Sequence, residues 1–445
     1  MKRSLLLRAC ALLLIWPGGA ASAVTLDALL QTTAEKNQEI KKARLELERA
    51  YGQRLVFRSV ALPDALIGAV GGVQGGYRAG SSANKPFGFG YGGFTQPLFN
   101  AAIPASFRRG DIEVLIAQQQ LNVAMVENLH AARVTFYTGT YSLSLKNLRA
   151  EERDRLQQIT STQKARYEAG LADRGMFVGA QIHAREYDAR IAAAQRAYDG
   201  SVLQDALLMG DDLSAAGGAL LQLEGELTYR PIHIDLEAET ARALKNRADL
   251  QLARLLVRAA NEDQRIIEAA YYPAINAVVG GEYIPVSGVR RQSEGSPRRS
   301  DDFVSSEIRA GAAYTWRVID NGKVSGAVLR QRSAREINEI LLRKMEADVP
   351  RDLARIRNNL DAIATKQAAL TRATGAAEQS AATVQENLSS GVLSQLEVRM
   401  AENASLEIKS ALLDLAYQQH LALAEWDRAT GRYFQFSNEN AQNVR

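Results

Sequence analysis

The sequence predicts an α+β membrane protein. Long helices would pack as a coiled-coil barrel, and antiparallel strands pooled from several copies of the chain would form a transmembrane β-barrel. Three observations predict this fold class. Two stretches of about sixty residues or more are almost free of proline and glycine, four shorter stretches alternate apolar with polar or glycine residues, and the whole arrangement occurs twice.

The composition is that of a folded chain without strong net charge. Of the 445 residues, 46% are hydrophobic and 23% are charged, which excludes a disordered or collagen-like protein. The chain holds 54 Lys and Arg against 50 Asp and Glu. Because Lys2, Arg3 and Arg8 belong to the first 23 residues, the rest of the chain is almost neutral. This balance gives no electrostatic reason to expect a nucleic-acid partner.

Residue types that carry catalysis or bind metals are sparse. The one cysteine is Cys10, and the four histidines are too far apart for a known metal-ligand spacing. The histidines are His130, His183, His233 and His420. The glycines of Gly88–Gly93 fit a dinucleotide-binding spacing, but an extended run follows them where that fold needs a helix. We therefore expect no disulfide, metal, cofactor or catalytic residue, and a protein that is not an enzyme.

The first 23 residues have the pattern of a secretory signal peptide. Lys2 and Arg3 precede the mostly apolar run Leu5–Trp16, and an A-x-A cleavage site ends at Ala23. The alternative is a membrane anchor, for which the apolar run is too short. No other stretch approaches the roughly 18 consecutive apolar residues of a membrane-spanning helix, so the exported chain would cross a membrane only as a β-barrel.

Two long stretches predict helices far beyond the usual 11–12 residues. They are Ser106–Ala169 and Lys323–Leu388, and Pro350 is the one proline in the second. In the first stretch, residues such as Ile112 and Ile116 return to one face at helical spacing. At about 1.5 Å per residue, each helix reaches on the order of 100 Å and needs packing partners along its whole length.

The clearest strand pattern is Glu307–Val318. Apolar residues at its even positions alternate with residues such as Glu307 and Arg309, which is typical of a barrel strand with one face toward lipid. In Phe87–Tyr91, three aromatic residues alternate with two glycines. Glycines opposite aromatic residues suit a curved, closely packed wall.

Two weaker strand predictions, Leu66–Tyr77 and Ile275–Ile284, complete two pairs. The polar segment Ala79–Lys85 would link the first pair, and the longer polar segment Pro285–Asp302 would link the second. Each strand has about 10–13 residues, which is enough to cross a bilayer when tilted.

Aromatic residues at the strand ends predict an interfacial girdle. Trp316, Tyr271 and Tyr272 occupy such positions. The alternative is packing at a junction between helix and strand.

The chain repeats its pattern after about 210–220 residues. Pro63 precedes the first strand as Pro273 precedes the third, and Gly170 of the first half matches Gly391 of the second. Each half predicts a helix, two strands, a long helix, a tight glycine turn and a helix. The predicted domains are the signal peptide 1–23, a first repeat 24–210 with strands near 65–98, a linker 211–231, a second repeat 232–432 with strands near 274–318, and a tail 433–445.

Four strands are too few to close a barrel, because the smallest single-chain barrels have about eight. An open sheet in lipid would leave edge groups unpaired, which hydrocarbon does not tolerate. Several chains must therefore pool their strands. Strand counting alone allows a dimer with about eight strands or a trimer with about twelve.

These features resemble the TolC-type outer-membrane efflux proteins over essentially the whole mature chain. The resemblance rests on the duplicated order, on Tyr167–Leu171 as the family's YxxGL turn, on Pro63 and Pro273 before strands, and on Gln96–Asn100, with Pro97, at a strand exit.

The resemblance implies a homotrimer. Its twelve-stranded barrel would lie in the cell outer membrane of a Gram-negative bacterium, in contact with outer-membrane lipid, and its helices would form a tunnel in the periplasm. Two further partners are implied: a periplasmic adaptor, or membrane fusion, protein and an inner-membrane RND or ABC transporter.

The resemblance also implies a periplasmic gate. In the family, acidic residues just past the second glycine turn narrow the tunnel, and Glu397 takes this position. Met400 stands where a second acid is usual, and Met176 and Phe177 take the equivalent place in the first half. A ring of carboxylates attracts cations, whereas the methionines and Phe177 make the gate more apolar. The alternative for Glu397 is an ordinary exposed helix charge.

The two glycine turns are further site candidates. Gly170 with Leu171, and Gly391 with Val392, would join antiparallel helices, and such tight turns need a residue with positive φ. Contact between these turns and the adaptor is implied by the resemblance.

The sequence thus favours a passive export duct that is driven by a partner pump. Small-molecule (drug) efflux is the first expectation. Type I secretion of proteins or peptides with an ABC transporter is an alternative with the same architecture. A periplasmic coiled-coil adaptor or scaffold is the alternative of another class, and the strand pairs argue against it.

Overall fold

The computed structural model describes residues 23–78, 81–210, 221–290, 300–390 and 395–432. Residues 1–22, which hold nearly all of the predicted signal peptide, and the predicted tail 433–445 lie outside this description. The chain divides into two compact units. The helical unit comprises the described residues of Met1–Lys42, Ala124–Asn246 and Val349–Arg445, and the sheet unit comprises those of Ala43–Val123 and Arg247–Asp348.

The elements of the two halves of the chain follow the same order. The first half contains β1 (Ala23–Val24), α1 (Leu26–Lys36), α2 (Gln38–Ser59), β2 (Asp64–Arg78), β3 (Ser81–Phe99), α3 (Ile103–Glu168) and α4 (Arg174–Leu208). The second half contains β4 (Gln222–Leu223), α5 (Leu236–Asn246), α6 (Ala248–Glu268), a 3₁₀ turn (Ala269–Tyr271), β5 (Ala274–Arg290), β6 (Ser300–Thr315), α7 (Lys323–Ser389) and α8 (Gln395–Thr430).

Helices α3 and α7 cover the two predicted long helices. They contain 66 and 67 residues, and the helices that follow them, α4 and α8, contain 35 and 36. Helix α7 continues through Pro350. None of the described helices has a segment that is long and apolar enough to cross a membrane.

In each half, two helices precede the sheet strands where the sequence predicted one, so this prediction was wrong. The first break falls at Asn37, whose φ of −55° and ψ of 134° lie outside the helical region. The Asn37 side-chain oxygen accepts hydrogen bonds from the backbone N–H groups of Glu39 at 2.9 Å and Ile40 at 3.2 Å, which caps α2. The second break falls at Arg247, with φ −59° and ψ 124°.

The core of the helical unit includes a two-residue strand pair. Val24 of β1 lies beside Leu223 of β4 in parallel register, and both side chains are buried together with Phe136 of α3 and Val202 of α4. Strand β4 falls inside the predicted linker 211–231, so that part of this segment belongs to the core. Alternation over two residues is too short to be recognised in a sequence.

The sheet unit contains a four-stranded antiparallel sheet with the order β2-β3-β5-β6. Its strands are longer than predicted. Ser81–Lys85 belongs to β3, Pro285–Arg290 to β5 and Ser300–Asp302 to β6, although all three were predicted as links. Polar side chains at the strand ends suggested loops, but ladder pairing uses backbone groups, whatever the side chain.

Strand β6 ends earlier than predicted. It stops at Thr315, so Trp316 and Val318 follow the strand and do not continue its apolar face.

The register separates two faces of the sheet, since residues that pair across strands point to the same side. One face carries no charged residue over the pairs from Ala65 to Val73 of β2 and the residues that face them. We call it the apolar face. Its larger side chains are Ile67, Val73, Phe94, Ile275, Val279, Tyr283, Ile308 and Tyr314.

The opposite face, the charged face, carries Asp64, Glu282, Glu307 and Arg309. It also carries the aromatic residues of Phe87–Tyr91, because Tyr91 pairs with Glu282, which in turn pairs with Glu307. The Phe87 and Tyr91 rings lie over Gly72 and Gly68 of the neighbouring strand: a Cβ atom added at Gly68 would come within 2.4 Å of the Tyr91 ring. The aromatic run therefore fills the space above glycines on the same side as the charges.

Candidate functional site

The predicted turn at Gly170 is a tight connection between α3 and α4. Gly170 has φ +74°, a conformation that residues with a Cβ rarely adopt. Its N–H donates to the Tyr167 carbonyl at 2.9 Å, and the Leu171 N–H donates to the Arg166 carbonyl at 2.8 Å. This pair of hydrogen bonds is the Schellman motif, which satisfies the last carbonyls of α3. The Asp173 carboxylate then accepts from the Gly175 N–H at 3.0 Å and caps α4.

Apolar side chains surround this turn. The Tyr167 and Phe177 rings stack with centroids 6.1 Å apart and planes 12° apart, so each braces the other across the turn. Leu171 is 72% exposed and Met176 is 62% exposed. The turn thus presents apolar side chains on a rigid backbone, which is what a docking surface or a constriction needs.

The second predicted turn is only partly described. Gly391 and Val392 lie outside the described residues. Glu397 stands in the first turn of α8, where the helix dipole favours a carboxylate, and its side chain is exposed. Met400 lies one turn later and is also exposed. The structure therefore places Glu397 and Met400 at the start of α8, and Met176 and Phe177 at the start of α4.

The predicted prolines mark the ends of strands. Pro63 stands directly before β2, and Pro273 directly before β5. Pro97 lies in β3 opposite Asn276, where the register between β3 and β5 shifts before Phe99. A residue without an N–H fits such an irregularity, because it cannot donate to the ladder.

Two of the three predicted interfacial aromatic residues meet at one end of the sheet. The Trp316 indole N–H donates to the backbone carbonyl of Tyr271 at 3.2 Å. Trp316, Tyr271 and Tyr272 are all about half exposed or more. This hydrogen bond ties the residue after β6 to the turn before β5, and it leaves apolar ring surface open to the surroundings.

Sequence reasoning missed a group of charges on the charged face. Glu307 accepts two hydrogen bonds from Arg309, at 2.7 and 2.9 Å, and Glu282 stands directly opposite Glu307 on β5. Glu307 and Arg309 were recognised as polar positions of a strand. Their meeting with Glu282 depends on the register between β5 and β6, which no local pattern of residues indicates.

A buried ion pair in the helical unit was also missed. The Arg133 guanidinium of α3 donates to the Asp427 carboxylate of α8 at 2.6 Å, with side-chain exposures of only 10% and 16%. Arg133 also donates to the Tyr137 hydroxyl at 3.2 Å. The Tyr137 ring packs on His420, whose pKa is lowered by burial. Because the partners are 294 residues apart in sequence, no local pattern could connect them.

Asp205 of α4 is a buried acidic residue. Its side chain is fully buried, and neither carboxylate oxygen has a hydrogen-bond partner among the described residues. Burial raises the pKa of the Asp205 carboxyl to about 8, so it is protonated at neutral pH. Among the described residues, no cluster of three or more His, Cys, Asp or Glu side chains is placed to hold a metal ion.

The sequence model of the outer membrane efflux protein family matches residues 240–432, which lie in the second half of the chain. No curated protein matches the sequence. Several solved structures are similar over most of their length.

The outer-membrane channel CmeC of Campylobacter jejuni has a TM-score of 0.76 at 12% identity, over 94% of this chain and 88% of its own. The outer-membrane protein VceC of Vibrio cholerae has a TM-score of 0.73 at 16% identity, over 91% of this chain and 96% of its own. The open state of the outer-membrane channel MtrE of Neisseria gonorrhoeae has a TM-score of 0.68 at 17% identity, over 91% of this chain and 88% of its own. At these identities the likeness is one of fold.

The family match and the shared fold together confirm the predicted resemblance to TolC-type outer-membrane efflux proteins. They also confirm the predicted location in the outer membrane. The matched proteins are described as outer-membrane proteins and channels, which is consistent with a protein that is not an enzyme.

Proposed function

We propose that this chain, identified as a TolC-type outer-membrane efflux protein by its family match and its fold, is the exit duct of a tripartite export system. The duct conducts small molecules from the periplasm, or from an inner-membrane pump, to the outside. A periplasmic adaptor protein joins it to an RND-type or ABC-type transporter, which supplies the energy.

The observation that carries this proposal is the sheet. Its apolar face has no charged residue over the pairs from Ala65 to Val73, and its two outer strands, β2 and β6, have no further strand neighbour within the described chain. Each strand is antiparallel to the next, so β2 and β6 run in opposite directions. The β6 strand of one copy can therefore pair with the β2 strand of the next copy and keep the antiparallel order. A ring of three chains closes a barrel of about twelve strands and leaves no edge unpaired in lipid.

The recurrence of elements supports an internal duplication. Matching helices of the two halves differ by no more than one residue in length. We assign the two long hairpins, α3–α4 and α7–α8, to the periplasmic tunnel. Their turns, with Gly170 and Leu171 in one and Gly391 and Val392 in the other, make the contact with the adaptor.

We further assign the gate to the residues just past these turns. Glu397 supplies a carboxylate from each chain, and the exposed side chains of Met176 and Met400 give the opening an apolar rim. Such a rim resists hydration when it is narrow, and the carboxylates favour cations when it opens.

Disulfide trapping tests the assembly. The sequence after the leader contains no cysteine, so introduced cysteines report without interference. Ala69→Cys in β2, combined with Ala310→Cys or Ala312→Cys in β6, is expected to give disulfide-linked trimers on non-reducing gels of outer-membrane fractions. Ala277→Cys in the inner strand β5, combined with Ala69→Cys, is the matched control and should leave monomers. Monomers from every β2–β6 pair, or recovery in the soluble periplasm, would contradict the proposal and favour a periplasmic scaffold.

Deletion and capture test the cargo. A strain that lacks the protein should become sensitive to several drugs and detergents, and the wild-type gene should restore resistance. Crosslinking in cells followed by capture through a C-terminal tag should recover an adaptor with a proton-driven pump. Unchanged sensitivity together with recovery of an ABC exporter, and loss of a secreted protein from the medium, would move the assignment to type I secretion.

A further inference from the structure

We propose that the charged face of the sheet carries a binding site for organic cations that contain an aromatic group, formed by Tyr91, Glu282 and the Glu307–Arg309 pair. The inference rests on the proposed function, because it concerns the class of small molecule that the duct receives. It is a transit site, where cargo binds weakly on its way through the barrel.

The site is a shallow cavity of about 230 Å³. It is lined by Tyr91, Gly92, Gly280, Gly281, Glu282, Glu307 and Arg309. The register aligns Tyr91, Glu282 and Glu307 across three strands, and it aligns Gly93, Gly280 and Arg309 across the next row.

Glycines make the floor of this cavity. Above Gly93 no other atom lies within 4 Å of the place that a Cβ would take, and above Gly280 the nearest atom is a backbone oxygen 4.0 Å away. Two adjacent strands thus contribute bare backbone between the Tyr91 ring and the Arg309 side chain. The space is large enough for a ring with a small substituent.

The charge of the site is unbalanced. Arg309 donates two hydrogen bonds to Glu307, so these two charges largely cancel. Glu282 is exposed and makes no hydrogen bond within the described residues, and its carboxylate acts on Arg309 only through space. The site therefore has a net charge of about −1 and attracts a cation.

Tyr91 adds the second part of the recognition. Its ring is held over Gly68 and stands 6.1 Å from the ring of Phe89, while 37% of the residue stays exposed. The face of an aromatic ring attracts ammonium groups and stacks with other rings. An exposed ring beside an exposed carboxylate that accepts no hydrogen bond from the described residues suits a quaternary ammonium ion that carries a phenyl group. Exposure keeps the binding weak, so that cargo can leave.

The test uses benzyltrimethylammonium as the cationic probe and benzenesulfonate as its anionic counterpart. The full mature chain is placed in lipid nanodiscs, and binding is followed by saturation-transfer difference NMR with empty nanodiscs subtracted. We expect saturable binding of the cation and none of the anion. Equal binding of both ions, or no saturable binding of the cation, would overturn the proposal.

Three variants test the residues. Glu282→Gln is expected to weaken binding about fivefold, which is the effect of losing one exposed ion pair. Arg309→Gln releases the Glu307 carboxylate and is expected to strengthen binding by a similar factor. Asp64→Asn is the matched control and should leave binding unchanged. It removes the same charge from the same face, about 13 Å along β2 from the row of Tyr91.

Damage to the fold cannot explain a result in which Glu282→Gln weakens cation binding and Arg309→Gln strengthens it. If both variants bind as the wild type does, or if Asp64→Asn weakens binding as much as Glu282→Gln, the site is not the one proposed. Disulfide trapping on the same samples separates this inference from the proposed function. Trimers that form without selective cation binding overturn the site alone, whereas cation binding to a chain that forms no trimers supports the site and overturns the duct.

Discussion

The two compact units bury their side chains to very different degrees. The helical unit holds an extended core around Leu29, Phe136 and Val202, and it also buries the Arg133–Asp427 pair. The sheet unit has a small core around Ile112 and Leu255, and it exposes most of the large apolar side chains that are exposed in the described chain. The helical unit buries apolar side chains within itself, whereas the sheet unit leaves a large apolar surface exposed in the single chain.

The largest difference is expected from a buried and an exposed phenylalanine. Phe136→Ala in the helical unit should lower the free energy of unfolding by about 3–5 kcal/mol, because it removes a fully packed ring. Phe107→Ala in the sheet unit removes a side chain that is 38% exposed, and it should cost only about 1–2 kcal/mol in detergent. Urea titration followed by circular dichroism at 222 nm measures both. Equal losses would mean that the sheet unit has a covered core of its own.

Ion pairs should show the next largest contrast. Asp427→Asn leaves the buried Arg133 guanidinium without its charged partner and should cost about 3 kcal/mol. Glu346→Gln breaks the pair with Arg254 in the sheet unit, where both side chains are 35% exposed, and should cost less than about 1 kcal/mol. The same urea titrations at low and high salt check this, because salt should reduce the loss of unfolding free energy only for the exposed pair. A salt-sensitive loss in Asp427→Asn would refute the burial argument.

Two carboxylates give opposite dependences of stability on pH. The pKa of Asp205 is raised by burial to about 8, so between about pH 4 and pH 8 the folded chain holds a proton that the unfolded chain has lost. The free energy of unfolding should therefore fall by about 1.4 kcal/mol for each unit by which the pH rises across this window. Asp205→Asn should abolish this fall. Asp188→Asn, an exposed carboxylate on the same helix, is the control.

Asp249 of the sheet unit behaves in the opposite way. Burial opposes ionisation, but two hydrogen bonds from Arg247 prevail, and the pKa of Asp249 is lowered. Its contribution to stability is present above the ordinary pKa of an aspartate and is lost as the pH falls through the lowered value. A urea titration of Asp249→Asn from pH 7 down to pH 3 should show the difference from wild type shrink. A difference that grows on acidification would contradict this sign.

Glycine substitutions should give the smallest effects, and they test backbone conformation independently of burial. Gly170→Ala puts a Cβ on a residue with φ +74° and should cost about 1–2 kcal/mol, as should Gly322→Ala in the sheet unit with φ +80°. Gly179→Ala in α4 is the matched control: it has ordinary φ and no atom near the added Cβ, so it should gain up to about 1 kcal/mol. Thermal unfolding midpoints suffice to rank the three. A loss in Gly179→Ala would show that the hairpin is crowded there.

Much of the fold follows from local patterns in the sequence. The long helices, the four sheet strands and the prolines before β2 and β5 stand where periodicity and backbone chemistry predict them. The turn at Gly170 also stands where predicted, because a Schellman motif needs a residue that tolerates positive φ. The errors concern polar strand ends, read as links, and Asn37, whose capping hydrogen bonds divide one predicted helix into two.

The candidate sites also divide into features that neighbouring residues determine and contacts that depend on the folded chain. Local patterns of residues predict which of them lie at turns and strand ends, because φ preference, helix capping and alternation act between neighbours in the chain. The folded chain was needed to see which side of the sheet the aromatic run occupies, that Glu282 faces Glu307, and that Arg133 meets Asp427. These contacts depend on strand register and helix packing, which bring together residues that are far apart in the chain, and a shift of one residue in register would send Tyr91 to the opposite face.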